Sequence, residues 1–140
     1  MGKTILKFND DDQFDFLLVG IACQHRDYRL CHELNTALEI ELARENDYEI
    51  FNGKRMEKVS FSFYRFETDE EDQYYLFSNK GKNGTLIPEQ KQIDFFLMIR
   101  ENVKRISEPD LINRLKELKV VLGVFKIDTK NLKSRDNLVF

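Results

Sequence analysis

The sequence predicts an α+β fold with a single mixed, mainly antiparallel sheet and two helices packed on one face, in an extended split-βαβ arrangement. Its length of 140 residues suits one domain. Twelve phenylalanines and no tryptophan favour a sheet-based core. The apolar pattern follows the order strand, helix, short strand, three strands, helix, strand. We expect residues 1–140 to form one domain, with residues 130–140 as a docking C-terminal tail.

The first predicted strand covers residues 14–23, which are nearly all apolar. Asp27 then opens a helix that extends to about residue 38, because its side chain can cap the N–H groups of the first turn. Apolar residues recur at helical spacing along this segment and predict one buried face. Residues 40–44 alternate and indicate a short edge strand.

A β-hairpin is predicted in the middle of the chain. Residues 59–63 alternate cleanly between apolar and polar side chains, as a strand does. The acidic residues 67–72 turn the chain, and residues 73–78 return as the second strand. Residues 80–84 are predicted as a further loop.

The remaining strands flank a second helix. Residues 93–99 are apolar on both faces and predict a central strand. Ser107 caps the second helix, and residues 120–127 follow as a last core strand, so that strand, helix and strand predict a right-handed parallel crossover. Gly20 and Gly123 lie inside predicted strands, where glycine is either tolerated under a helix or marks a gap for a ligand or partner.

Charge and composition exclude several classes of protein. A net charge of −3 and a pI of about 5.5 argue against general nucleic-acid binding, which needs a concentrated basic face. No stretch approaches the roughly 18 apolar residues of a membrane-spanning helix. The N-terminus is too short and polar for a secretory signal, and two cysteines give no disulfide framework. We expect a soluble cytoplasmic protein that binds neither nucleic acid nor membrane.

One sequence motif is more specific than these patterns. Leu86, Ile87, Pro88 and Glu89 are followed after three residues by Ile93, Asp94 and Phe95. This run resembles the signature of the IPExxxVDY family, with Ile93 in place of Val and Phe95 in place of Tyr. Residues 27–30, 34–35 and 132–140 are also similar to that family. The resemblance implies a small bacterial cytosolic domain and implies no activity, because the family is uncharacterised.

The two signature acids and one arginine form a candidate site. Alternation from Ile93 places Asp94 among apolar neighbours, where a carboxylate needs a partner, and Arg29 and backbone N–H groups are plausible partners. Glu89 and Asp94 either cap turns and pair with arginine, or read a ligand together with Arg29, or act as a catalytic acid and base. Two carboxylates alone are a weak signal of catalysis.

The cysteines and histidines form a second, weaker candidate. Cys23, His25, Cys31 and His32 lie within ten residues, and zinc binds such side chains. Cys31 and His32, however, are adjacent on a predicted helix and diverge by about 100°. A lone Cys is more often a small buried apolar residue. We therefore predict no metal and no cofactor.

The C-terminal segment is the third candidate. Leu138, Val139 and Phe140 are apolar, and apolar termini dock either on their own domain or on a partner. No set of catalytic residues is visible. We therefore expect a non-enzymatic protein-interaction or adaptor domain that forms a homodimer or binds an unidentified protein partner. In that case deletion of residues 132–140 abolishes association and preserves the fold. The alternative is a small-molecule-binding regulatory domain.

Overall fold

The computed structural model describes residues 16–52, 56–101 and 107–138. Within these ranges the chain forms eight strands and two α-helices. In chain order they are β1 (Leu17–Ala22), α1 (Asp27–Leu38), β2 (Ala43–Arg44), β3 (Tyr48–Asn52), β4 (Glu57–Phe61), β5 (Phe63–Glu67), β6 (Gln73–Ser78), β7 (Phe95–Arg100), α2 (Glu108–Lys116) and β8 (Gly123–Ile127). Short 3₁₀ turns lie at Pro88–Gln90, Thr129–Asn131 and Arg135–Leu138.

Six strands form the main sheet in the order β2-β5-β6-β7-β1-β8, and β3 and β4 form a separate two-stranded sheet. Every neighbouring pair in the main sheet is antiparallel. Because β7 and β8 are both antiparallel to β1, they run in the same direction on either side of it, and α2 connects them. The predicted crossover therefore joins parallel strands that are not neighbours. The predicted α+β fold with a mainly antiparallel sheet is confirmed.

Both helices pack on the same face of the main sheet. Leu30 and Leu34 of α1 and Leu111 and Leu115 of α2 are fully buried there. Alternate residues of β1, including Val19, point to this face because successive side chains of a strand point to opposite sides. None of the helices in the described ranges is long and apolar enough to cross a membrane.

The opposite face is covered by the β3–β4 hairpin, the loop between β6 and β7, and the chain after β8. Phe61, Phe77 and Phe96 are almost completely buried in this second core. The rings of Phe77 and Phe96 have centroids 5.7 Å apart, in the tilted arrangement that aromatic pairs favour. Many of the phenylalanines thus fill the layer opposite the helices.

The two helices begin differently. Ser107 caps α2 as predicted, since its hydroxyl accepts a hydrogen bond from the N–H of Asp110 at 3.3 Å. Arg26 precedes α1 without a side-chain cap. As predicted, the side chain of Asp27 accepts a hydrogen bond from an N–H group of the first turn, that of Tyr28 at 2.8 Å. Asp27 is the first helical residue, and its carboxylate forms an ion pair with Arg44 at 2.9 Å. This long-range contact ties α1 to β2.

The predicted strand 59–63 is interrupted at Ser62, where the chain passes from β4 in the small sheet to β5 in the main sheet. The N–H of Ser62 donates to Oγ of Ser78, and its carbonyl accepts from the N–H of Ser78, both at 3.1 Å. These bonds anchor the crossing point beside β6. The partner strand β3 was not predicted, and β8 lies at the edge of the main sheet rather than in its core.

Candidate functional site

The signature loop, residues 86–94, is held by the buried side chain of Asn79. Nδ2 of Asn79 donates to the carbonyls of Gln90 and Ile93, both at 2.9 Å. Its Oδ1 accepts from the N–H of Ile87 at 2.7 Å, and its own N–H donates to the carbonyl of Asp94 at 2.9 Å. Asn79, the residue directly after β6, therefore fixes both ends of the loop through hydrogen bonds that are shielded from water.

Ile93 packs directly against the backbone of β1. A Cβ atom placed at Gly20 would lie 2.6 Å from Cδ1 of Ile93, closer than real carbon atoms approach. Gly20 is therefore required by the close approach of this fully buried side chain. At Gly123 the ring of Phe125 takes the corresponding space, with Cζ 3.1 Å from such an atom. Side chains fill the space at both glycines, which leaves no gap of the predicted kind there.

The carboxylate of Asp94 connects the beginning of β7 to two neighbouring segments. Oδ2 accepts a hydrogen bond from the N–H of Cys23 at 2.8 Å, and Oδ1 forms an ion pair with Nζ of Lys80 at 2.8 Å. Arg29 is exposed on α1, and no ion pair joins it to Asp94. Of the two predicted kinds of partner, the backbone N–H group is found, at Cys23. The Arg29–Asp94 pair was wrong, because the buried leucines of α1 direct Arg29 to solvent while Lys80 follows the neighbouring strand β6.

The carboxylate of Glu89 binds the C-terminal segment. Its two carboxylate oxygens accept hydrogen bonds from the N–H and the hydroxyl of Ser134, at 2.7 and 2.9 Å. Close by, Nδ2 of Asn137 donates to the carbonyl of Leu86 at 2.9 Å, and the hydroxyl of Tyr48 donates to the carbonyl of Asn137 at 2.7 Å. The signature loop and the C-terminal segment are thus joined by hydrogen bonds that span 45 to 51 residues of sequence, and Tyr48 of β3 adds one that spans 89 residues.

These hydrogen bonds favour the charged form of Glu89. Its partial burial by itself raises the pKa of the carboxyl group. The hydrogen bonds that it accepts, from its own backbone, from Ser134 and from the backbone of Lys133, outweigh this effect and hold the pKa below its ordinary value of 4.5. The carboxyl group of Glu89 is therefore ionised at neutral pH when its hydrogen bonds to Ser134, here called the Ser134 clamp, are formed.

The described part of the C-terminal tail docks on its own domain. Leu132 and Leu138 are buried in the second core. Val139 and Phe140 lie outside the described residues. Deletion of residues 132–140 removes core side chains together with the Ser134 clamp, so that deletion perturbs folding as well as any association.

The three candidate residues Arg29, Glu89 and Asp94 are not brought together by a shared contact. Within the described residues, no hydrogen bond or ion pair joins any two of them. Glu89 lines a groove of about 320 Å³ together with Lys126 and Asp128, but both of its oxygens are already bonded to the C-terminal segment. The signature acids connect segments of this fold.

The cysteines and histidines separate in the structure. Cys23 and Cys31 are buried free thiols, whereas His25 and His32 are exposed. Burial raises the pKa of both thiols. Among the described residues, no three His, Cys, Asp or Glu side chains form a group that could hold a metal ion. The adjacent positions on α1 diverge as helical geometry requires.

Exposed apolar side chains lie on the edge strand β8 and directly before it. Leu122, which precedes β8, is 68% exposed, and Phe125 within β8 is 42% exposed. The N–H of Leu122 donates to the carbonyl of Ala22 at 2.8 Å, so Leu122 is still bonded to the end of β1. Nζ of Lys126 pairs with Glu108 of α2 at 2.7 Å. The apolar run 120–127 led to the prediction of a core strand, because this local pattern does not distinguish an edge strand from a central one.

Comparison with protein-family models gives no match for this chain. Comparison with curated proteins gives no match either. The similarity to the IPExxxVDY family stays a prediction that depends on the residues of the signature loop and the C-terminal segment.

Proposed function

We propose that this chain is a non-catalytic protein-interaction domain that forms a homodimer through the open edge of β8. The observation that carries the proposal is a strand at the edge of the main sheet, among the described strands, that presents Phe125 to solvent, with the exposed Leu122 directly before it. An exposed sheet edge with apolar side chains is a template for pairing with another strand.

The hydrogen-bonding pattern indicates which groups of β8 face outward. On β1, the carbonyl of Ile21 accepts a hydrogen bond from the β7 side, and the carbonyl of Ala22 accepts one from the β8 side. Because successive residues of an antiparallel strand alternate in direction, Phe125 exchanges its backbone bonds with Gly20, its register partner. The N–H and C=O groups of Val124 and Lys126 then point away from the sheet.

A second copy of this chain is complementary to that edge. If two β8 strands pair antiparallel about a two-fold axis at Phe125, Val124 of each copy forms the hydrogen-bonded pair with Lys126 of the other. The two Phe125 rings then lie opposite each other, and such an aromatic pair contributes about 0.5–1.5 kcal/mol. No like charges meet, because Lys126 lies opposite Val124.

The other edge of the main sheet, at β2, is better protected against pairing than the edge at β8. Strand β2 has two residues, and Arg44 on it is held by ion pairs with Asp27 and Asp47. Short length and charge are the usual means by which proteins block an edge. On β8 the single charge, Lys126, is drawn toward Glu108 on the helix face, so it does not guard the outer side.

Charged substitutions at the proposed two-fold axis test the dimer. Native mass spectrometry should show a dimer for the wild-type chain, and Phe125→Glu and Phe125→Lys should each weaken it by about tenfold or more, because like charges face each other and the aromatic pair is lost. An equimolar mixture of the two variants should form a heterodimer, since Glu then lies opposite Lys. Only a two-fold contact at this residue predicts that rescue.

Phe51→Glu is the matched control, because Phe51 is also exposed, at 61%, but lies on β3 in the small sheet. It should leave the dimer unchanged. A monomeric wild-type protein, or a heterodimer that fails to form from the two Phe125 variants, would contradict the proposal.

The same proposal places the domain in the bacterial cytoplasm, as the IPExxxVDY resemblance implies. Both cysteines are free thiols, which supports a reducing compartment. Glu89 and Asp94 support the non-catalytic role, since the carboxylate oxygens of both accept bonds from other segments of the fold.

A further inference from the structure

We propose that an open cavity between the two helices and the main sheet binds a small zwitterion with an apolar body, of the class of an α-amino acid with an aliphatic or aromatic side chain. The cavity has a volume of about 430 Å³. Sites for small molecules have volumes of roughly 300–1,000 Å³. It lies on the helix face of the sheet, so this inference is independent of the proposed dimer at β8.

Apolar side chains from the sheet and from both helices line the cavity, together with Thr68. Phe66 of β5 and Tyr74 of β6 line it with Ile99 of β7, and the two rings stack with centroids 5.9 Å apart. Leu38 at the end of α1 and Leu111 in α2 line it from the helices. An aliphatic or aromatic group placed here is removed from water against side chains that are already ordered by the sheet.

The rim carries one charge of each sign. Arg114 in the last turn of α2 and Glu39 after α1 both line the cavity. Neither forms an ion pair with another residue in the described part of the chain, and both are exposed. A guanidinium binds a carboxylate through paired hydrogen bonds, and a carboxylate accepts hydrogen bonds from an ammonium group. A zwitterion satisfies both groups, whereas a singly charged ligand is repelled by one of them.

Glu39 ends α1 at the rim of the cavity. It has φ 55° and ψ 48°, in the left-handed region, and its N–H donates to the carbonyl of Asn35, which is a common way for a helix to end. Met56 and Glu71 also have positive φ. The side chain of Glu39 is exposed, so the helix terminus leaves its carboxylate at the rim of the cavity.

Three probes that share a phenyl group and differ in their charged groups test the proposed zwitterion site on the full chain by two-dimensional NMR. We expect L-phenylalanine to shift the amide signals around the cavity. It should bind about tenfold or more tightly than phenylpropanoate, which lacks the ammonium group, and than phenylethylamine, which lacks the carboxylate. Arg114→Gln should weaken phenylalanine and should tighten phenylethylamine, because it removes the cation that repels the ammonium group. Glu39→Gln should weaken phenylalanine and should tighten phenylpropanoate, because it removes the anion that repels the carboxylate.

Lys116→Gln is the matched control, because Lys116 is the other cation in the last turn of α2 and does not line the cavity. It should bind phenylalanine as the wild type does. The proposal is overturned if no probe shifts the cavity signals, if all three bind equally, or if Lys116→Gln weakens binding as much as Arg114→Gln. All three substitutions are at exposed positions, and an unchanged amide spectrum outside the cavity shows that each variant is folded.

Discussion

Asn79→Ala tests how the signature loop is held, because the side chain of Asn79 makes three hydrogen bonds in a fully buried position. The substitution removes all three and changes little of the apolar core. Asn79 is not part of the signature motif, and its role is visible only in the structure. We expect this single change to loosen the whole of residues 86–94.

The expected loss of stability follows from the groups left without partners. The carbonyl of Gln90 keeps a hydrogen bond from the N–H of Ile93 at 3.1 Å. The N–H of Ile87 and the carbonyl of Ile93 lose bonds that are buried. Each buried group left unpaired costs about 1–3 kcal/mol, so the free energy of unfolding should fall by about 2–6 kcal/mol.

Urea denaturation followed by far-ultraviolet circular dichroism measures this loss, since the chain has no tryptophan to report by fluorescence. Asn83→Ala is the control, because Asn83 is exposed in the same loop region and its removal should change stability by no more than about 0.5 kcal/mol. A change equally small for Asn79→Ala would refute the reasoning.

Asn79→Asp sharpens the test. The new carboxylate keeps an acceptor for the N–H of Ile87 but directs negative charge at the carbonyls of Gln90 and Ile93. Burial and these carbonyls should raise the pKa of the acid, so the folded state binds a proton more readily than the unfolded chain. The stability of this variant should therefore rise as the pH falls from neutral, and a stability independent of pH would count against the geometry.

Three further predictions concern the same loop. Glu89→Gln and Ser134→Ala should each lower stability by about 0.5–1.5 kcal/mol and should not be additive, as a double-mutant cycle would show. The wild type should be more stable than Glu89→Gln above pH 4.5, and this difference should vanish as the pH falls through the lowered pKa of Glu89 in the folded state. Acid unfolding curves measure this difference. Gly20→Ala should cost about 1–3 kcal/mol from the clash with Ile93, and adding Ile93→Val should recover part of that loss. Asp94→Ala should lower the melting temperature more than Lys80→Ala, because it also leaves the N–H of Cys23, directly after β1, without this partner.

The sequence by itself determined the elements that local patterns control. The predicted helix 27–38 matches α1, because apolar residues at helical spacing define its buried face. The cap at Ser107 was predicted correctly, since that interaction lies within one turn of the chain. The second strand of the hairpin, residues 73–78, matches β6 for the same local reason.

Only the tertiary structure decided where these elements meet. The break at Ser62 depends on Ser78 across the sheet, and the partner of Asp94 is Lys80 rather than Arg29. Glu89 binds a serine 45 residues away, a distance over which hydrophobic periodicity carries no information. The same holds for the edge position of β8, because an apolar strand has the same local pattern in the centre of a sheet and at its edge. Pairing between distant segments is selected by the packing of the whole core, and that selection placed the clamp, the cavity and the open edge.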